Sequence, residues 1–434
     1  YNSSPRQIYL RDAQVLDTDN DSLLDSWEVA GIDSNADGTI DLTLPPATDP
    51  WVRTVLVEVD AMAGMLPSAQ TLATIQNRFG QQDAVSYQLI LIIDETNIAP
   101  QTWSADIAPV TWPTEFTPFK NAWFGTAAER ASPNWANIYQ AKLWAHRYCV
   151  FARDNVSNTI AGMGELPGND FFLTLGGVWS FWGSSPAVQL GVFLHELGHN
   201  LNLDHGGGLG IATQADRAAD NKPNYLSVMN GSWTTPQTGY ASSWIGNLSE
   251  FVFAAPSSFP PIFIDERLLF ELDGVGGFNG YVVPCGPPPM RLVNQSGPVD
   301  WDNDGACCSP FGVSADVNRL APGMGAPSPG EVLTSHNDYA NLQAQIGRTG
   351  PFAASAHGTS LPSDEFTYQD FQILETVGDW RDSLDKYGAG DPLYIIGGWE
   401  TWCDGGGDAF VSDEFSLSPP HAMMLVPGSD VVKR

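Results

Sequence analysis

Residues 195–205 read His-Glu-Leu-Gly-His-Asn-Leu-Asn-Leu-Asp-His, and three imidazoles at that spacing around a carboxylate can hold a metal with a general base beside it. On an α-helix, positions four apart differ by about 40° in azimuth, so His195 and His199 leave one face and can share an ion. Glu196 sits next to that face. Zinc takes nitrogen or sulfur ligands in a near-tetrahedral set, and in catalytic sites it keeps one position for a water whose pKa falls to about 7. Glu196 would take the proton of that water and pass it to a leaving amine. The third ligand must come from beyond the helix. His205 is the first choice, with Asp204 beside it as an alternative and Glu250 as the ligand of a different zinc-site type. For His205 to serve, the helix must end near Asn202 in a left-handed residue, where Gly is cheapest and Asn next most tolerant.

A second chemistry is written in aspartates. Asp17, Asp19, Asp21, Asp25 and Glu28 stand at positions 1, 3, 5, 9 and 12 of a calcium loop, with Ser22 where Gly is expected. Asp33, Asn35, Asp37 and Asp41 start the same pattern and have the Gly, but lack the closing Glu. Asp300, Asp302 and Asp304 make a third, shorter fragment. Each run alone is also what a solvated Asx-rich turn looks like, and two in tandem favour calcium. Any such ions would fix loops that bury little apolar surface.

The elements that must position these groups follow from periodicity. Residues 55–60 and 87–93 read as strands, 68–79 as a helix, 135–151 as a helix running into a strand, and 171–175 as another strand. Residues 186–203, with Val188, Val192 and Leu197 at helical spacing, carry the zinc motif. Strands followed by long helices imply an α+β or α/β core. Prolines at 45, 46 and 50 suggest a boundary, and the composition turns to Pro, Gly and Ser beyond about 283. The expected division is a calcium-binding leader (1–50), a catalytic domain (51–282), an extension (283–345) and a β-rich or irregular appendage (346–434).

At 195–205 the chain resembles the metzincin clan of zinc endopeptidases, whose signature is His-Glu-x-x-His-x-x-Gly-x-x-His followed by a methionine-bearing turn. Ser227-Val-Met-Asn230, about two dozen residues after His205, is similar to that turn. The resemblance extends to secreted bacterial proteins in which an aspartate-rich leader precedes a metzincin-like domain. Asp25-Ser-Trp-Glu-Val-Ala-Gly-Ile-Asp33, Val57-Glu-Val-Asp60, Gly297-Pro-Val-Asp-Trp301 and Asn337-Asp-Tyr-Ala-Asn-Leu342 carry it from about residue 10 to 345. It implies an α+β fold with a twisted sheet, backing helices, an active-site helix and a methionine turn. It also implies that Met229 is an apolar floor under the metal, and that an extended substrate lies along an edge strand, here expected at 171–177. Two positions depart from the pattern. Asn202 stands at the signature Gly, and Gly231 stands where some members place a transition-state-stabilising tyrosine, a role left to Tyr225 or Tyr240.

With 50 acidic against 19 basic residues and a net charge of −31, the surface repels nucleic acid and anionic lipid. No apolar stretch approaches the length of a membrane span. Five cysteines, none in a Cys-x-x-Cys pair, allow at most two internal disulfides. His146, His336, His357 and His421 stand apart and read as surface or core residues. The expectation is a secreted, extracellular endopeptidase with zinc and calcium as cofactors and proteins or peptides as substrates. Its rival is a calcium-stabilised structural or adhesive surface protein on a peptidase-like scaffold. Glu196 separates the two, because scaffold packing does not require it.

Overall fold

Val55, Val57 and Val59 alternate with Leu56, Glu58 and Asp60, and all six are buried. A strand covered on both faces carries such an unbroken run. This one, Arg53–Ala61 (β1), lies between two parallel neighbours, Tyr87–Ile93 (β2) and His146–Ala152 (β3). Gly162–Gly164 (β4) and Asp170–Thr174 (β5) complete the sheet: β5 pairs in parallel with β3, and β4 runs antiparallel on its far side. The order is β2-β1-β3-β5-β4. The computed structural model describes residues 16–80, 87–107, 110–156, 160–179, 183–208, 211, 213–225, 227–234, 263–273, 301–302, 311–318 and 330–344. It also describes short strands at 282–285, 291–294, 399–401, 409–412, 422–425 and 431–433.

Parallel strands need long crossovers, and helices supply them. Five are labelled here: Asp25–Ala30 (α1), Ala69–Gly80 (α2), Phe116–Trp123 (α3), Trp135–Ala145 (α4) and Pro186–Asn200 (α5). On one face of the sheet, Leu72, Ile75 and Phe79 of α2 and Val188, Val192 and Leu197 of α5 join Val57, Phe151 and Phe171 in one core. On the other face, Trp103, Phe116 and Phe119 pack with Tyr148, Val150 and Phe172. The molecule is therefore a mixed α and β fold around a mostly parallel sheet. Among the described residues, no helix is long and apolar enough to cross a membrane.

One expectation changes. The sheet edges are β2 and β4, and 171–174 lies inside the sheet; its Phe-Phe-Leu run suits a strand covered on both faces, whereas the Gly-Met-Gly of β4 carries no strand signal of its own. Leu23, Leu24, Trp27, Ile32 and Leu42, which precede the prolines at 45, 46 and 50, pack with Leu56 of β1 and Ile138 of α4. Val332–Thr334 pairs with Phe263–Asp265, and Tyr339, Leu342 and Ala344 enter the main core. In the appendage, 399–401 pairs with 431–433 and 409–412 with 422–425, both antiparallel.

The charged residues of β1 are matched by partners. Lys142 Nζ lies 2.6 Å from Glu58 Oε2, both side chains being buried, and Asp60 accepts from the Tyr148 hydroxyl (2.5 Å) and the Glu95 amide (2.9 Å). Lys142→Met would leave Glu58 buried and uncompensated, and is expected to cost about 3–5 kcal/mol of stability. An unchanged urea midpoint for that variant would contradict this assignment.

Candidate metal centre

Helix α5 opens with Pro186 in its first turn, where the missing N–H costs nothing. It ends at Asn200, and the chain turns away through Asn202 at φ 69°, the left-handed residue that the motif requires. An asparagine does more here than a glycine would. Its Nδ2 donates to Gln343 Oε1 (2.6 Å), and Arg217 Nη2 donates to its Oδ1 (2.6 Å) and its carbonyl (3.0 Å). The turn brings His205 back over the helix.

His195, His199 and His205 are all buried, with ring centroids 4.7, 5.1 and 5.0 Å apart. His195 Nδ1 donates to the Val228 carbonyl (2.7 Å) and His199 Nδ1 to the Leu203 carbonyl (2.8 Å). A carbonyl can only accept, so these contacts fix both tautomers and turn both Nε2 lone pairs inward. Burial holds both rings neutral, pushing His195 down to about 3 and His199 well below its ordinary range, with neighbouring imidazoles adding to the effect. The two Nε2 atoms are 3.1 Å apart. Two facing lone pairs at that distance repel unless a cation lies between them, and tetrahedral ligation at about 2.0–2.1 Å would bring nitrogens to about 3.3 Å from each other. Among the described residues, neither ring nitrogen of His205 has a hydrogen-bond partner. The donor set fits a divalent metal, and the three rings bring one ligand atom each within 4.8 Å of the others. Asp204 is not in that group; its Oδ1 accepts the His205 amide instead. Glu250 lies outside the described residues.

Glu196 is buried with one carboxylate oxygen unpartnered among the described residues, and burial raises its proton affinity well above that of an ordinary carboxylate. Strand β4 presses its backbone against it. A Cβ at Gly162 would meet Glu196 Oε1 at 2.6 Å, and one at Gly164 would meet the Glu196 carbonyl at 2.6 Å, so two glycines two residues apart let the sheet edge touch the helix.

Met229 is buried in the same core as Leu194 and Leu197, in a turn closed by the Asn230 amide on the Ser227 carbonyl (3.1 Å). The hydroxyl of Tyr225 donates to Asp338 (2.7 Å), and Tyr240 lies outside the described residues. A side chain at 231 would strike Asp220, whose carboxylate is 2.6 Å from the Cβ position and accepts the Gly231 amide. The spacing of the histidines gave no sign of Thr234, whose hydroxyl donates to the Val228 carbonyl at 3.0 Å, nor of Gln343.

The leader holds a second cluster. Asp17, Asp19 and Asp21 bring oxygens within 4.8 Å of each other, and both oxygens of Asp19 and of Glu28 are buried without hydrogen-bond partners among the described residues. Desolvation, then neighbouring carboxylates, pushes Asp19 up to about 6 and Glu28 to about 8, and burial pushes Asp21 to about 7. Ser22 adopts φ 80°, the conformation of the Gly that it replaces. Asp25 instead accepts from the Thr18 amide and hydroxyl. The second run satisfies itself: Asp33 accepts the Asp37 and Gly38 amides, Asn35 bonds Asp37, and Asp41 accepts from Ser34 and Asn134. Among the described residues, Asp33, Asp37 and Asp41 form no such group of three carboxylates. Asp302 is exposed, and Asp300 and Asp304 lie outside the described residues. A comparison with protein-family models gives no match, and neither does one with curated protein sequences.

Proposed function

We propose that the protein is a secreted, metzincin-like zinc endopeptidase. The reading is carried by Glu196, a buried carboxylate with an unpartnered oxygen, next in sequence to the first of three inward-facing imidazoles. Zinc bound there would supply a Lewis acid and a water of lowered pKa. His195, His199 and His205 would hold it, and the Val228 and Leu203 carbonyls would keep the first two rings in register. Glu196, made more basic by burial, would receive the proton of the attacking water and return it to the leaving amine. An extended peptide would lie along β4, the sheet edge beside Glu196, in place of 171–177. A scaffold without turnover would have no use for Glu196. Zinc content and hydrolysis of a denatured protein, compared between wild type and Glu196→Ala, test this. A zinc-bearing wild type no more active than the variant overturns the enzyme reading.

In the leader, calcium would be held by Asp17, Asp19, Asp21 and Glu28. Without a cation, the raised carboxyls keep protons that the unfolded chain has already lost. The folded state then binds more protons between the ordinary carboxylate range and about pH 8, and stability falls as pH rises through that window. Calcium should cancel the loss. Melting in calcium-free buffer with zinc supplied is expected to show a larger Tm gain from added calcium near pH 8 than near pH 5. A gain independent of pH, or none, contradicts the assignment.

A further inference from the structure

The motif Asn337-Asp-Tyr-Ala-Asn-Leu342 has no part in the chemistry above, yet its side chains reach the metal centre from behind. Asp338 is fully buried. Its Oδ1 accepts from the Tyr225 hydroxyl (2.7 Å) and faces His336 Nδ1 (2.8 Å), and its Oδ2 accepts from the Ser227 hydroxyl (2.6 Å). Ser227 Oγ in turn accepts the Met229 amide at 3.1 Å. Between them lies Val228, whose carbonyl holds the His195 ring.

A few residues later the same segment grips the other ligand's support. The Gln343 amide donates to the Leu201 carbonyl (2.9 Å), and Asn202 donates to the Gln343 side chain (2.6 Å). These contacts fix the turn that delivers the Leu203 carbonyl to His199. The segment is itself anchored at two further points. Tyr339 Oη donates to the Phe79 carbonyl at the end of α2 (3.0 Å), and Arg147 of β3 donates to the Ala344 carbonyl (3.0 Å).

We propose that residues 338–343 are a brace for the metal centre, with Asp338 as its principal positioning residue. Asp338 touches neither metal nor substrate; it acts through the turn whose Val228 carbonyl orients His195, while Gln343 steadies the turn whose Leu203 carbonyl orients His199. The inference rests on His195, His199 and His205 being the ligand set. Outer-shell partners of that kind set ligand orientation, and losing one costs about 10–100-fold in metal affinity.

The test is zinc affinity of the full chain, by competition with a chromophoric chelator, for wild type, Asp338→Asn, Ser227→Ala and His199→Ala. Asp338→Asn is expected to weaken zinc by about 10–100-fold, and Ser227→Ala, which removes one hydroxyl, by about 10-fold. Circular dichroism and the Tm of the metal-free proteins report the purely structural part. A segment that only stabilised the fold would lower that Tm and leave zinc affinity at the wild-type level. If Asp338→Asn does not fold, Ser227→Ala decides. Folded variants with wild-type affinity, alongside a His199→Ala that has lost zinc, overturn the brace alone. A wild type without zinc, or a His199→Ala that keeps it, overturns the ligand set and the brace with it.

Discussion

Glu196→Gln is expected to bind zinc like the wild type and to lose about 10²–10⁴-fold in kcat, the range that a positioned general base contributes. The substitution keeps shape and volume but cannot take a proton. Because proton transfer belongs to the transition state, the loss should fall on kcat and kcat/KM equally, with KM little changed. The same change should not weaken the fold. Glu196 is buried with an unpartnered oxygen and a raised proton affinity, so its ionised form is a strain that a neutral amide relieves. Steady-state kinetics on an internally quenched peptide, with metal content and Tm measured in parallel, separate these effects. Wild-type turnover by a zinc-loaded Gln variant would remove Glu196 from the reaction.

His205→Ala is expected to abolish stoichiometric zinc binding, a loss larger than the 10–100-fold typical of an outer-shell partner. It is the cleanest of the three ligand variants. His195 and His199 each satisfy a carbonyl, Val228 and Leu203 respectively, so removing either also leaves an acceptor unpaired. Both nitrogens of His205 are without hydrogen-bond partners among the described residues, so the metal-free protein loses no bond to those residues with it. Zinc should therefore raise the Tm of the wild type by mass action and leave that of His205→Ala unchanged. Wild-type zinc stoichiometry in the variant would show that another residue completes the set.

Much of this centre was legible because its signal is local. Spacing alone put His195 and His199 on one helical face, and the need to turn the chain back singled out Asn202 as left-handed, which its φ bears out. The strands β1 and β2 declared themselves by apolar runs. What escaped was decided by partners distant in sequence. The sheet edge beside Glu196 is Gly-Met-Gly, chosen for its close approach to that residue rather than for strand propensity. The prolines at 45, 46 and 50 mark a turn, and the leucines before them cover Leu56. The tandem aspartate runs looked alike, but among the described residues only the first has buried oxygens without partners. Its closing Glu28 makes part of that difference, and the second run spends its oxygens on its own amides.

The most direct measurement is anomalous scattering at the zinc edge from crystals grown with zinc. A single strong peak is predicted within about 2.0–2.1 Å of Nε2 of His195 and His199 and of one ring nitrogen of His205, with Glu196 outside the ligand set. A peak elsewhere, or one completed by another residue in place of His205, would contradict the account.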